Sequence, residues 1–328
     1  MHLPRFEYVK PESVGHCLTL MSELQGQAAV MAGGTDLLSS MGQRLALPRF
    51  VIGLRWLAEL RGIAFAEDGS LTIGAGTTLT ALADHATIAV RLPMLHKAIR
   101  SVASVHVRNM ATLGGNLALP TRCWYTNQTE GWRMAREGCF KTDKEACHVL
   151  ASSHKCVATS SADSVPALIA LGASVTLRSV RGERVVALGD FYRDDGAHPT
   201  VIEPDELITA IHVPPCAART GFIKVTPREG IDFGLGTIAA AVTGSNRRVA
   251  SATIVVNSIG SNPMRLREAE RVLVEGGLSE ATITAAAGVA RDDLGEITNL
   301  WTPAGYKRRL VRVLLARTLE DIRGQRHP

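Results

Sequence analysis

Apolar residues change their spacing several times along this chain, and each change marks an element. After Lys10-Pro11-Glu12-Ser13, the residues Leu18, Met21 and Leu24 recur every third position, which predicts an amphipathic helix with the proline tolerated in its first turn. The apolar run 28–31 predicts a buried strand, 32–36 a turn, 37 onward a short helix, and 50–54 a second strand. Strand, helix, strand in that order favours a small parallel sheet. A second unit begins near Gly62, with a strand and turn over 71–76, a helix opening at Thr78 and another over 94–102. Residues 166–171 suit a short helix, and the alternation in 173–177 and 207–213 predicts strands. Pro214-Pro215 then punctuates the chain, which places a boundary between residues 1–214 and 215–328. The last third reads as strands over 221–226, 236–242 and 250–256, followed by helices over 266–274 and 279–291, with Ser279 as a cap. A final amphipathic helix carries Leu310, Val311, Leu314, Leu315, Leu319 and Ile322. The expected class is α+β: a two-lobed first domain, one lobe small and parallel and the other mixed or antiparallel, then an antiparallel sheet with helices.

Length and charge narrow the classes of function. The 328 residues are enough for two or three full-sized cores. Apolar content of 46% and charged content of 20% are ordinary for a soluble globular protein, and no run of ~18 apolar residues predicts a membrane span. The first residues lack the apolar stretch of a secretion signal, so a cytoplasmic, thiol-preserving setting is expected. The formal charge of +5 is mild, and its basic residues gather in the last helix: Lys307, Arg308, Arg309, Arg312, Arg317, Arg323 and Arg326. Without interleaved aromatics, that helix reads as packed on its own domain, not as a nucleic-acid element.

Candidate chemistry enters with two Gly-Gly turns, Ala32-Gly33-Gly34-Thr35-Asp36-Leu37 and Thr112-Leu113-Gly114-Gly115-Asn116-Leu117. Glycines let the backbone approach an anion and present several N–H groups to it, and Thr35, Thr112 and Asn116 can add side-chain donors. A pyrophosphate needs donors from two sides. Each pair taken alone reads equally as a tight turn, and neither is a dinucleotide fingerprint or a P-loop.

Four of the six cysteines, Cys123, Cys139, Cys147 and Cys156, follow the second turn with 15, 7 and 8 residues between them. Such spacing can hold an iron–sulfur cluster, lacks the short knuckle usual for structural zinc, and is also compatible with unliganded thiols. His148 and His154 read as loop residues, and Cys17 and Cys216 as structural ones.

The two turns, Val107-Arg108-Asn109-Met110 before the second, Ala162-Asp163-Ser164-Val165-Pro166, the set Lys224, Arg228, Asp232 and Phe233, and Tyr306-Lys307-Arg308-Arg309-Leu310 resemble the FAD-binding medium subunits of the molybdenum hydroxylase family. The resemblance covers nearly the whole chain in order. It implies FAD between two N-terminal lobes, with Met31, Ala32, Gly33, Gly34, Thr35, Asp36 and Leu37 on the pyrophosphate and Thr112, Leu113, Gly114, Gly115 and Asn116 opposite them. It further implies Asp163 on an adenosine ribose hydroxyl, apolar contacts from Val102 and Ile208, and Lys224 near the isoalloxazine. Asp163 sits in Ala-Asp-Ser-Val-Pro where the family more often has Ser-Asp-Leu-x-Pro, with the acid at the same distance from the proline.

Most of the family passes almost directly from the second turn to that acid, whereas here about 119–158 intervene as an insertion. The insertion is similar to that of the 4-hydroxybenzoyl-CoA reductase branch, through Thr121-Arg122-Cys123, Gly138-Cys139, Cys147-His148-Val149 and Lys155-Cys156-Val157. That similarity implies a 4Fe-4S cluster on Cys123, Cys139, Cys147 and Cys156. It also implies a hetero-oligomer with a molybdenum-cofactor large subunit and a 2Fe-2S small subunit, ferredoxin as electron donor, and no substrate-catalytic residue in this chain. The six basic and four acidic residues of the insertion suit docking of an acidic carrier or simply a mixed solvated surface. Two other readings stand beside this one: a flavin subunit passing electrons outward to NAD, a quinone or oxygen, and a zinc-stabilised scaffold without redox function.

Overall fold

The computed structural model describes residues 2–294 and 302–325. Its first lobe runs β1 (Glu7–Val9), α1 (Val14–Glu23), β2 (Ala28–Met31), α2 (Leu37–Gly42) and β3 (Phe50–Gly53). The strand order is β1-β3-β2 with both pairings parallel, as strand-helix-strand predicts. Ser13 Oγ accepts the His16 N–H at 3.1 Å to start α1, which buries Val14, Cys17, Leu18 and Met21 against Ile52 and Leu54. Cys17 is thus a core residue.

The second lobe begins with β4 (Ile63–Phe65) and β5 (Leu71–Gly74), then α3 (Leu79–Ala83), α4 (Ala86–Arg91), α5 (Pro93–Arg100), α6 (Val105–Met110) and α7 (Leu113–Leu117). The cysteine segment follows with α8 (Glu130–Met134), then α9 (Val165–Ala170), β6 (Ser174–Ser179), β7 (Gly182–Ala187) and β8 (Leu207–Val213). The sheet order is β4-β5-β8-β6-β7, antiparallel throughout. The helix expected over 94–102 ends at Arg100, because the chain turns at Ala103, φ +43°, into Ser104, whose hydroxyl caps α6.

The last part is β9 (Arg219–Val225), β10 (Gly236–Gly244), β11 (Val249–Asn257), β12 (Met264–Arg265), α10 (Arg267–Gly276), α11 (Glu280–Asp293) and α12 (Ala304–Gly324). Its antiparallel sheet has the order β12-β11-β10-β9. Alternation along β10 serves two cores: Ile238, Ala240 and Val242 pack with α10–α12, while Ala239 and Ala241 join the core of the second lobe. β10 is therefore buried on both faces, and α9 lies against it and β11. The apolar face expected of α12 is buried, apart from the half-exposed Leu310, and Arg326 lies outside the described residues. Lys307, on that helix, is the exception among its basic residues. It is fully buried, burial pushes it down to about 8, and its Nζ donates to the Ser258 carbonyl at 2.8 Å, on a residue with φ +65°. Among the described residues no helix is long and apolar enough to cross a membrane.

Candidate functional site

The first glycine turn links the end of β2 to α2. Gly34 has φ +72°, a conformation that favours glycine. The N–H groups of Gly33, Gly34, Thr35 and Asp36 make no hydrogen bond among the described residues, so four successive donors stand free. Consecutive free N–H groups of this kind form an anion-binding concavity.

The second pair does not form an open turn. Thr112 Oγ1 accepts the Gly115 N–H at 3.2 Å and caps α7, which places both glycines inside that helix. Its backbone donors are engaged: Leu113 N–H on Thr77 O, Gly114 N–H on Ala75 O and Asn116 N–H on Thr112 O. Gly114 is a packing glycine, since a Cβ there would lie 2.8 Å from Ala75 Cβ. Gly115 is exposed and its Cβ would meet only Thr112 Oγ1, at 3.2 Å. Asn116 Oδ1 accepts from Ser164 Oγ at 2.5 Å. What the second turn offers a ligand is the open face at Gly115 and the Thr112 hydroxyl proton, which has no acceptor among the described residues.

The two turns meet. A Cβ on Gly33 would fall 1.9 Å from the Met110 carbonyl oxygen, so the first lobe closes on the segment leading into α7 only through that glycine. The 31–37 turn therefore lies against the segment that leads into α7. The free donors come from the first turn, and four successive N–H groups suit a diphosphate.

Asp163, Val102 and Lys224 also converge. Lys224 Nζ donates to Asp163 Oδ2 at 2.7 Å and to the Ser101 carbonyl at 2.9 Å, with the two side chains only 7% and 6% exposed. Asp163 Oδ1 is buried and has no partner, which marks a place for a donor from outside the chain. Burial pushes the Asp163 carboxyl up to about 6 even against the Lys224 ammonium. The two side chains touch, so the Lys224 ammonium is engaged by Asp163 and the Ser101 carbonyl. Val102 and Ile208 are each 7% exposed and belong to the main core, leaving only their edges for contact.

A pH dependence follows. A ligand hydroxyl donating to Asp163 Oδ1 favours the carboxylate, so FAD affinity is expected to be constant above about 6 and to weaken as the pH falls below it. In the free chain the sign is opposite: the raised value contributes stability at low pH that is lost as the pH rises through about 6. Titrations of the parent and Asp163→Asn chains between pH 5 and pH 8 (about one unit either side of the transition and beyond) check this, with the slope absent in the variant.

The four clustered cysteines are free thiols, Cys156 buried and the others half-buried. Cys123 O accepts from the Thr126 and Asn127 N–H groups, and Thr126 Oγ1 lies 3.8 Å from Cys139 Sγ. Lys141 stands among Cys156, Cys123 and Cys139 and donates to Thr121 O at 2.7 Å; burial lowers its pKa, and the three thiols oppose that shift. Cys147 Sγ accepts from Leu150 N–H at 3.5 Å. Among the described residues no three His, Cys, Asp or Glu side chains converge closely enough to hold a single metal ion. His154 is exposed, whereas His148 is half-buried and bonded to Glu137 O at 2.7 Å.

Of the six basic residues of the insertion, Arg122, Arg133 and Lys141 are half-buried and Arg136, Lys144 and Lys155 are exposed. Arg122 pairs with Asp36, Arg133 with backbone carbonyls of the first lobe, Lys141 with Thr121 and Lys155 with Asp194. Arg136 stacks on Trp132, 4.6 Å from the ring centroid. Sequence reasoning placed these side chains on a charged surface and missed the first two contacts, which join residues 86 to 90 apart.

Comparison with known proteins agrees with this geometry. Residues 4–216 match the family described as the FAD binding domain in molybdopterin dehydrogenase, and 222–322 the CO dehydrogenase flavoprotein C-terminal domain. The carbon monoxide dehydrogenase medium chain of Afipia carboxidovorans is 30% identical over 96% of both chains. The 6-hydroxypseudooxynicotine dehydrogenase complex subunit alpha of Paenarthrobacter nicotinovorans is 29% identical over 97% of this chain and 95% of that one. In structure, a chain of reconstituted CO dehydrogenase from Oligotropha carboxidovorans superposes with a TM-score of 0.82 at 26% identity, covering 99% of this chain and all of that one. This chain therefore belongs to the FAD-binding medium subunits of the molybdenum hydroxylase family, the flavin components of multi-subunit oxidoreductases.

Proposed function

We propose that this subunit carries two redox groups, FAD in the cleft between the lobes and a 4Fe-4S cluster on Cys123, Cys139, Cys147 and Cys156. The observation that supports this most is the placement of the four-cysteine insertion, through Arg122, directly against the turn with free N–H donors. A four-iron cube spreads its thiolates wider than one ion does, which suits three of the thiols, Cys123, Cys139 and Cys156, lying around Lys141 without closing on a single point. When bound, FAD would supply a carrier that takes or gives electrons singly or in pairs. Gly33 to Asp36 would hold its diphosphate, Asp163 a ribose hydroxyl, and Lys224 the charge of Asp163.

In this reading electrons enter from ferredoxin and leave to a 2Fe-2S small subunit and a molybdenum large subunit. The whole complex would carry out a 4-hydroxybenzoyl-CoA reductase-type dehydroxylation in the cytoplasm. We also place the domain boundary at Pro214-Pro215, where β8 ends and before the second family match begins at 222. The names of the relatives, which are dehydrogenases and hydroxylases, favour a second reading in which FAD passes electrons outward.

Iron and acid-labile sulfide per FAD, measured on anaerobically purified chain, separate the two. About four of each are expected. FAD without iron or sulfide would remove the cluster and leave the outward-transfer reading. A colourless, zinc-containing chain would remove both.

A further inference from the structure

We propose that Arg122 and Arg133 are positioning residues that clamp α2 from both ends, so that FAD affinity depends on the cysteine insertion. The proposal rests on the FAD-binding reading and not on the identity of any metal group.

At the start of α2, Asp36 occupies the cap position but its carboxylate caps no N–H; it is paired with Arg122 instead. Asp36 also ends the run of free donors that would face a diphosphate, and a bare carboxylate there would repel that anion. Arg122 cancels the charge. Its guanidinium lies 5.4 Å from the Phe233 ring centroid, its backbone pairs with Thr159, and the next residue is Cys123. The one side chain therefore joins the cofactor turn, the cysteine loop and the β9–β10 loop.

At the other end, Arg133 Nη1 donates to Gln43 O at 2.9 Å and Nη2 to Arg44 O at 3.0 Å, while Nη1 also holds Gln128 O within the insertion. Gln43 follows the last residue of α2, and Arg44 turns there at φ +59°. These are carbonyls that a helix end leaves without partners. α2 is short, so its direction, and with it the aim of the turn that precedes it, depends on being held at both ends.

The test uses the full chain, purified anaerobically, freed of flavin and titrated with FAD by fluorescence. Binding by the parent is read first and decides the cofactor reading; the clamp is read from ratios to the parent. R122Q and R133Q are each expected to raise the Kd about tenfold or more, without loss of the folded state. R122Q/D36N is expected to bind more tightly than R122Q alone, since removing the unpaired carboxylate relieves the repulsion. Added salt should narrow the gap between R122Q and parent. A Kd within about twofold of the parent for both single variants would overturn the clamp, and so would a double variant no tighter than R122Q. Arg133 has no charge partner among the described residues, so R133Q reads the mechanical part even where R122Q fails to fold.

Discussion

Gly33→Ala is expected to empty the chain of flavin, while Gly115→Val is expected to do so without disturbing the fold. At Gly33 a methyl group would sit 1.9 Å from the Met110 carbonyl oxygen, and Met110 is backbone that cannot swing away. The lobes must part, which costs about 1–3 kcal/mol or more of overpacking and takes the free donors of the first turn away from the second. At Gly115 a Cβ meets only the Thr112 hydroxyl at 3.2 Å, a contact relieved by a few tenths of an ångström, and its neighbourhood is otherwise open. Valine there points into the space left for the ligand. Flavin absorbance per chain and thermal melting separate the two cases. Gly33→Ala should lower both, whereas Gly115→Val should lower flavin at least about tenfold with melting shifted by only a few degrees. Full flavin content in Gly115→Val would mean that the open face is not the cofactor's.

If the proposed cluster is present, Cys139→Ser is expected to abolish it or reduce it to about three irons per chain, with FAD retained. Cys139 holds its place through Thr142, whose Oγ1 accepts the Cys139 N–H at 2.8 Å, so a serine occupies the same position with a poorer ligand. Cys216→Ser is the control: Cys216 is half-buried and packs against the main core, away from the insertion. Iron and sulfide analysis of both variants checks the assignment. Undiminished iron in Cys139→Ser would remove that residue from the ligand set.

Much of the fold was legible in the sequence. The parallel order of the first lobe followed from a strand, a turn with two glycines, a short helix and a second strand, whereas the second Gly-Gly pair, read as another turn, lies inside α7. The difference between the glycines was not legible. Gly33, Gly114 and Gly115 look alike in sequence, yet one faces Met110, one Ala75 and one open space, which depends on residues far away in the chain. The same holds for charge. Arg122, Arg133, Lys141 and Lys307 have the composition of a solvated surface, and each instead pairs with a buried or half-buried carbonyl or carboxylate distant in the chain. Local pattern gives the element; the partner comes from packing. The pairing of Lys224 with Asp163 shows this most clearly, since it joins residues 61 apart that the local pattern gives no reason to link.

Because β10 supplies Ala239 and Ala241 to the core of the second lobe, that lobe lacks part of its own interior until residue 241 has been made. A chain emerging from the ribosome would carry the cofactor turns, the cysteine loop and all of β1–β8 with an uncovered apolar face on α9. Chains at that stage are prone to associate with one another. Loading of FAD is thereby tied to completion of the carboxyl-terminal sheet, so a nascent chain that stalls short of β10 would be a client for chaperones and not a half-finished flavoprotein.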